Sequence, residues 1–397
     1  MTVPSRLEPA LTLSDIFGQG VYCPRVSPNA CRWISGDPAL LNSLTANQLT
    51  VAGRMPVVCS RGAVGIEGLR LLREAGCPEP GELHLFSDGE EHLAQLRALA
   101  GRGEKLVLLH AHRPDDVPAE SWWIPRELLE LLNNKANLES FVAAGHAPRR
   151  SVHSNDALSR AIEEVEVPVV LKAGTHETTG AGNDVRICLD RVDLARAVSE
   201  FRDCPTVVAE EFLAIDRNLC LNYAVMTDGS VRYLGSAEQV CEPGGSYRGN
   251  WIDADTRAPD VAVALGEDVA MRGAGLGYRG IVGVDVAVLD DDRALAFDLN
   301  FRTNGSTTAL LLHESIVRET GSTVMRLRSW TGTRGYGALL DAAYAGLEQG
   351  YFMPLASYDP FADGIPSAAP RLGGVLLGAS RDEVREREAQ FAALGLS

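Results

Sequence analysis

The chain has 397 residues, enough for two or three subdomains around a substantial core. Its formal net charge of −16 excludes nucleic acid and anionic membranes as main partners, since both reward a basic surface. No apolar run approaches the ~18 residues of a membrane helix, so the expectation is a cytoplasmic protein without a membrane partner.

The first 17 residues lack the charged and apolar regions of a signal peptide. Eight cysteines without a CxxC pair, Cys31 among them, read as reduced and mostly buried thiols. Residues 1–55, punctuated by Gly, Pro and Asn, predict nothing beyond short helices. From residue 56 the texture is α/β: strands at 56–60, 82–86 and 105–110 alternate with helices at 66–75 and 90–100. Gly62, Gly65 and Gly68 read as a tight strand-to-helix turn, with ligand approach to the backbone as the alternative. The GxGxxG spacing at Gly275, Gly277 and Gly280 follows a helix and precedes a strand, the reverse of the dinucleotide-binding order. No Gly-Lys-[Ser/Thr] occurs, which excludes a P-loop. His110 and His112 read as a polar strand end, because the sequence suggests no third metal ligand nearby.

Helices are predicted at 127–133, 135–144 and 154–165, and then a β-run, PVVLK, ends in Lys172. The loop that starts at Ala173 carries Gly174, Gly180 and Gly182 among small polar residues. It reads as a lid over phosphates or as a hairpin tip, and Lys172 and Arg186 at its ends favour an anion. A helix at 190–203 precedes a strand at 206–212 that closes on Glu210, Glu211 and Phe212. Antiparallel strands turn at 227–230, a polar glycine-rich loop covers 242–250, and an Ala/Val helix spans 259–276.

The most informative stretch is 281–306. Two runs of period two, 281–289 and 294–300, flank Asp290-Asp291-Asp292-Arg293, a hairpin turn. Asp298 and Asn300 share one face, and Phe297 and Leu299 the other. A four-residue loop pairs Leu289 with Ala294 and sets Asp285 opposite Asp298. Facing carboxylates repel, and an Asp, Asp, Asn oxygen set suits Mg²⁺ or Mn²⁺; a solvated sheet face is the alternative. Helices at 308–319 and 336–346, a connector at 357–370, a strand at 373–378 and a charged helix complete the chain.

Lysine usage adds an independent signal. Of 37 basic residues only Lys105, Lys135 and Lys172 are lysine, so a retained lysine marks a place that needs a compact ammonium and not a guanidinium fork.

Lys135 at a helix start, Lys172 before the glycine-rich loop, Glu210-Glu211-Phe212-Leu213 and the hairpin ending DLNFR follow one another in an order that resembles the ATP-grasp superfamily of carboxylate–amine ligases. Phe301 replaces the proline usual before the arginine, and aspartate stands at both acid positions where the first acid is commonly glutamate. The resemblance implies an α/β ATP-grasp fold in three parts. These are an N-terminal α/β domain (1–122), an ATP-grasp region (123–335) with a lid subdomain at about 150–211, and a C-terminal extension (336–397) packing on the core. It implies that Lys135 and Lys172 contact ATP phosphates under a lid of 173–184 that includes Gly180 and Gly182. Glu210, Glu211, Phe212 and Leu213 would hold adenine through backbone groups, and Asp216, or Asn218 in its place, the ribose. Asp285, Asp298 and Asn300 would bind two Mg²⁺ ions, which Mn²⁺ can replace, and Arg302 would face an acyl phosphate. Arg248, Arg279 and Asn304 are further substrate-binding candidates.

The segment 235–250 and the string NDVRIC are similar to amino-acid and peptide ligases of specialised metabolism, including the pheganomycin-type peptide ligases. The implied activity joins an amino-acid carboxylate to the amine of a second amino acid or small amine through an acyl phosphate, with ADP and phosphate released. The alternatives are a nucleotide-binding regulator on a decayed ligase fold and a biotin-type carboxylase, although no Ala-Met-Lys-Met carrier motif is present. A homodimer is the default assembly.

Overall fold

Short apolar runs bounded by glycine and proline build the first sheet. The computed structural model describes residues 6–397 except 30, 31, 161, 178, 181, 243, 291 and 292. Cys31, Thr178 and Ala181 of the expected lid loop, Pro243, and Asp291 and Asp292 at the hairpin tip therefore lie outside the described residues. β1 (Val21–Cys23), β2 (Val57–Ser60), β3 (Leu83–Phe86) and β4 (Leu106–Leu108) run parallel in the order β3-β2-β1-β4. Around them lie α1 (Leu13–Phe17), α2 (Pro38–Ser43), α3 (Ile66–Glu74) and α4 (Gly89–Gly101), which Asp88 caps by accepting from the Glu90 and Glu91 amides. Elements expected between 56 and 110 match these within a few residues. β1 was not foreseen, since three residues show no period, yet it sits inside the sheet between β2 and β4. The glycine turn after β2 is structural: a Cβ on Gly62 would press on Tyr358 and the Asp359 carbonyl, and one on Gly68 on Ser357 and Tyr336.

α5 (Arg126–Asn133) and α6 (Leu138–Phe141) lead out of this region. Between them Lys135 opens a single 3₁₀ turn and not the long helix expected, because the Asn134 side chain caps the Ala136 amide and restarts the chain.

The second sheet is antiparallel, in the order β5-β8-β6-β7, and comprises β5 (Arg150–Ser154), β6 (Val169–Gly174), β7 (Val185–Cys188) and β8 (Thr206–Glu211). α7 (Asn155–Arg160) and α8 (Arg191–Glu200) back it, and Leu171, Ala173, Val207, Leu194 and Phe201 form its core. Trp33, from the N-terminal region, completes that core 5.4 Å from the Phe201 ring. β5, RSVHS, has no signature in the sequence, since its polar residues carry no apolar period to read; it ends at Ser154, where the helix expected over 154–165 begins as α7.

The third sheet holds eight antiparallel strands in the order β13-β12-β9-β10-β11-β14-β16-β15. They are β9 (Arg217–Val225), β10 (Val231–Cys241), β11 (Tyr247–Ile252), β12 (Gly280–Val288), β13 (Ala294–Asn300), β14 (Val324–Thr331), β15 (Phe352–Tyr358) and β16 (Arg371–Gly378). α9 (Asp260–Gly275) packs Ala262, Leu265 and Val269 on Leu219, Leu221, Val284 and Val286. α10 (Thr307–Thr320) packs Leu311, Leu312 and Ile316 near Ala237, Ile252 and Met325. α11 (Tyr336–Glu348) and α12 (Arg381–Ala393) cover Trp330, Phe352 and Leu376. Residues 336–397 thus extend the sheet by two strands. Pro354 obscures β15 in the sequence; the strand lies at the sheet edge, where a missing N–H costs least, and its register slips between Pro354 and Ala356.

Candidate active site

The acid pair forms, by a different register from the one expected. Val288, not Leu289, pairs with Ala294, which puts the hairpin tip one residue out. A bulge at Phe297 absorbs the offset, so Asp285 still faces Asp298 and Gly283 faces Asn300. The bulge also turns Phe297 away from the Leu299 side, correcting that expectation. Phe297 joins Ala287, Leu289, Leu295 and Leu213, while Val284, Val286 and Leu299 face α9. Lys172 Nζ lies 5.3 Å from the Phe297 ring centre and donates to the Phe297 carbonyl at 2.7 Å.

Around the acids stands a buried ladder of alternating charge. Lys135 Nζ meets Asp298 Oδ1 at 2.6 Å and Asp184 Oδ2 at 3.5 Å. Lys172 Nζ meets Glu210 Oε1 at 2.5 Å, and Arg150 Nη1 reaches Glu210 Oε2 at 3.7 Å. Arg150 also donates to the Lys135 carbonyl. Burial by itself would lower the Lys135 pKa, but Asp184 and Asp298 reverse the shift and raise it. Burial opposes ionisation of Asp298 too, and Lys135 and Lys172 overcome it, so its carboxyl titrates below the usual range. Asp285 goes the other way: burial first, and then the Asp298 charge, push it up to about 6. Gln239 Nε2 donates to Asp285 Oδ1 at 2.7 Å, and Asn300 Nδ2 to Oδ2 at 3.3 Å.

Among the described residues no three His, Cys, Asp or Glu side chains gather as a metal cluster. The candidate cation set is instead two carboxylates and an amide, all hard oxygen donors, and the crowding that raises Asp285 is what a divalent cation would relieve. The residues fit Mg²⁺ on that count.

The expected adenine hinge is placed beside this ladder. Glu210 Oε1 accepts from Lys172 while its buried Oε2 has no hydrogen-bond partner, and Glu211 accepts from the Arg149 amide and Nε. Phe212 is exposed, and Leu213 packs with Phe297, Leu295 and Ala287 as an apolar wall. Asp216 is exposed with its amide bonded to the Val288 carbonyl. Asn218, opposite Ala287, has a buried Oδ1 without a hydrogen-bond partner. Across the cleft, Gly182 lies against the Gly245 carbonyl with φ +77°, Gly180 lies near Ile34, and Thr179 pairs with Trp33 in a parallel bridge.

Arg302 is weakly held: it donates to Asn133 Oδ1 at 3.4 Å and to the Thr179 carbonyl at 3.5 Å. Asn304 Nδ2 donates to Asn222 Oδ1, and its own Oδ1 accepts from the Ser306 amide and hydroxyl, shaping the turn after Arg302. Two of the substrate candidates have partners of their own. Arg248 is exposed and pairs with Glu242 at 2.6 Å, and Arg279 donates to the Thr227, Ala274 and Tyr278 carbonyls at the far end of α9. Sequence reading missed Arg150 and Gln239, and had Asp184 only as the last residue of the expected lid loop. Arg150 faces Glu210 only once β5 pairs with β8, and Gln239 meets Asp285 only across β9, so neither had a local signal.

Comparison with known proteins decides the family. A model described as L-aspartate--L-methionine ligase N-terminal domain matches residues 12–130, and one described as L-aspartate--L-methionine ligase, ATP grasp, matches residues 148–300. Between them they cover more than half of the chain. The chain belongs to the ATP-grasp carboxylate–amine ligases. It is an ATP-dependent enzyme that forms an amide bond. Solved ATP-grasp structures share the fold at low identity. Carboxyaminoimidazole ribonucleotide synthase from Aspergillus clavatus, complexed with ATP, has a TM-score of 0.57 at 13% identity, over 95% of this chain and 98% of that one. Biotin carboxylase from Campylobacter jejuni has 0.58 at 11%, over 96% and 92%. L-amino acid ligase from Bacillus licheniformis has 0.51 at 13%, over 95% and 98%. In this ATP-grasp ligase no described helix is long and apolar enough to cross a membrane.

Proposed function

We propose that this ligase activates an amino-acid carboxylate as an acyl phosphate and passes it to the amine of a second amino acid, with L-aspartate and L-methionine the first pair to test. The reading rests on one observation above all: Asp285, Asp298 and Asn300 share a face with Lys135 and Lys172, next to Arg302. ATP would lie between the second and third sheets, its adenine against Leu213 and Phe297, its ribose near Asp216 and Asn218, and its phosphates under the 173–184 loop. Asp285, Asp298 and Asn300 would hold Mg²⁺, which neutralises phosphate charge and orients the transferred group when bound. Lys135 and Lys172 stand ready as ammonium donors at the same face. The substrate carboxylate attacks the γ-phosphoryl group; Arg302 fixes that carboxylate, and closure of the lid keeps water from the anhydride.

We further place the boundaries of the three parts at 122 and 335, with the lid at about 150–211, and the enzyme in the cytoplasm, where ATP and reduced thiols coexist, as a homodimer serving specialised metabolism. Incubation with ATP, L-aspartate and L-methionine should give ADP, phosphate and a product of the summed mass less one water. ATP consumption without such a product, across a panel of amino-acid pairs, would remove the reading. Asp298→Ala should lower amide formation by at least about 100-fold; a variant at the parental rate would remove the metal assignment.

A further inference from the structure

Beside Arg302 a cleft opens between the carboxyl end of β4, α5 and the lid loop, lined by His110, Asn133, Thr175, Glu177, Thr179 and Arg302. Ligands of parallel sheets bind outside such strand ends. His110 stands two residues beyond β4, half-buried, and among the described residues its ring has no hydrogen-bond partner. Its backbone is fixed, since the carbonyl accepts from His112 Nδ1 at 3.1 Å. The other groups in the cleft are less suited to exchange a proton with a bound substrate. Glu130 is tied to Arg126 at 2.5 Å, and His176 and Glu177 are exposed on the loop.

Amide formation from an acyl phosphate has a fixed proton balance. The amine nitrogen bonds to the acyl carbon, the bond from that carbon to the phosphate oxygen breaks, one N–H proton must leave, and phosphate departs able to take one. Arg302 marks where the acyl group lies on the reading above, on which this step rests. We propose that His110 accepts the proton from the attacking amine nitrogen and hands it to the departing phosphate. Burial, then the Arg302 charge and His112, hold the imidazole well below its usual pKa, so the ring arrives neutral and ready to accept. The same Arg302 charge disfavours an imidazolium, which favours prompt release of the proton to the phosphate. The nitrogen is far more acidic once bonded to the tetrahedral carbon than as a free ammonium, so a weak base suffices at that moment.

The test separates nucleophiles. Hydroxylamine is neutral near pH 7 and traps acyl phosphates as hydroxamates without a protein base. With ATP and L-aspartate, His110→Gln should form hydroxamate within about twofold of the parental rate, while amide formation with L-methionine falls about 100-fold or more. The deficit should shrink as pH rises and solvent base takes over, and added imidazole should restore amide formation to His110→Ala. Variants count only at the parental melting temperature, with His110→Asn in reserve. Equal loss with both nucleophiles, or no loss with either, overturns the role of His110. Absence of hydroxamate from the parental protein overturns the acyl-phosphate reading and this inference with it, an outcome distinct from the other two.

Discussion

At the scale of single residues the site is a set of charges that hold one another. Lys172 is the main counter-charge of Glu210, with Arg150 more distant at 3.7 Å. Replacing Lys172 by Ala leaves a buried carboxylate under-compensated, and the expected cost is about 3–5 kcal/mol in urea unfolding. The double change Lys172→Met with Glu210→Leu should recover most of that stability without recovering ATP binding, which separates folding from function. Asp285 yields a pH prediction. Its carboxyl is raised to about 6 from an ordinary value of 3.8, so in that window the folded state holds a proton that the unfolded chain has released. The contribution of Asp285 to the stability of the metal-free protein should therefore fall as pH rises from about 4 to about 6, read as the difference between the parental protein and Asp285→Asn in urea unfolding. Mg²⁺ needs the ionised form, so its affinity should run the opposite way and weaken about tenfold per unit below about pH 6. A half-saturating Mg²⁺ concentration that stays constant across that range would take Asp285 out of the ligand set. The scarcity of lysine was legible from composition alone, and both site lysines came from it; that Lys135 and Lys172 serve different acids was not.

At the scale of elements, the β12–β13 hairpin shows a right pairing reached through a wrong register. Alternation located both strands and the opposed acids. The bulge at Phe297 leaves no signature in the sequence, because an extra residue breaks a period-two pattern only by one step and the neighbouring alanines and leucines suit either face. The bulge matters, since it turns Phe297 beneath Lys172 and toward Leu213. On the same hairpin Gly283 faces the Asn304 amide so closely that a Cβ would overlap it. Gly283→Ala should displace the turn that carries Arg302 and Asn304, at about 1–3 kcal/mol of overpacking. The expected signature is a tenfold or larger drop in kcat/KM for the amino-acid substrates with the KM for ATP unchanged; a matching rise in the ATP KM would mean that the whole hairpin had moved. The elements that went unread, β1 and β5, are short or polar and gain their stability from partners remote in sequence.

At the scale of the whole molecule, the second sheet is fastened to the N-terminal region by Trp33, which packs on Phe201 and pairs with Thr179. Trp33→Ala should cost about 3–5 kcal/mol in that subdomain. Hydrogen exchange would show it as faster exchange over 150–211 while β12 and β13 stay protected, and uniform acceleration would mean one cooperative unit instead. Mg²⁺ and ATP together should restore protection to the same amides, as ligands that bind only the folded site do. The amino-acid sequence by itself determined the α/β texture, the order of lysine, glycine loop, glutamate strand and acid hairpin, and hence the family, because each is written in contiguous residues through periodicity and local turn chemistry. Only the tertiary structure decided that Arg150 and Gln239 attend the acids, that Arg248 pairs with Glu242 and Arg279 with backbone carbonyls, and that His110 and Arg302 line one cleft. Those contacts depend on strand pairing and on the approach of separate sheets, which bring together residues far apart in the chain through burial and opposed charge that no local window contains.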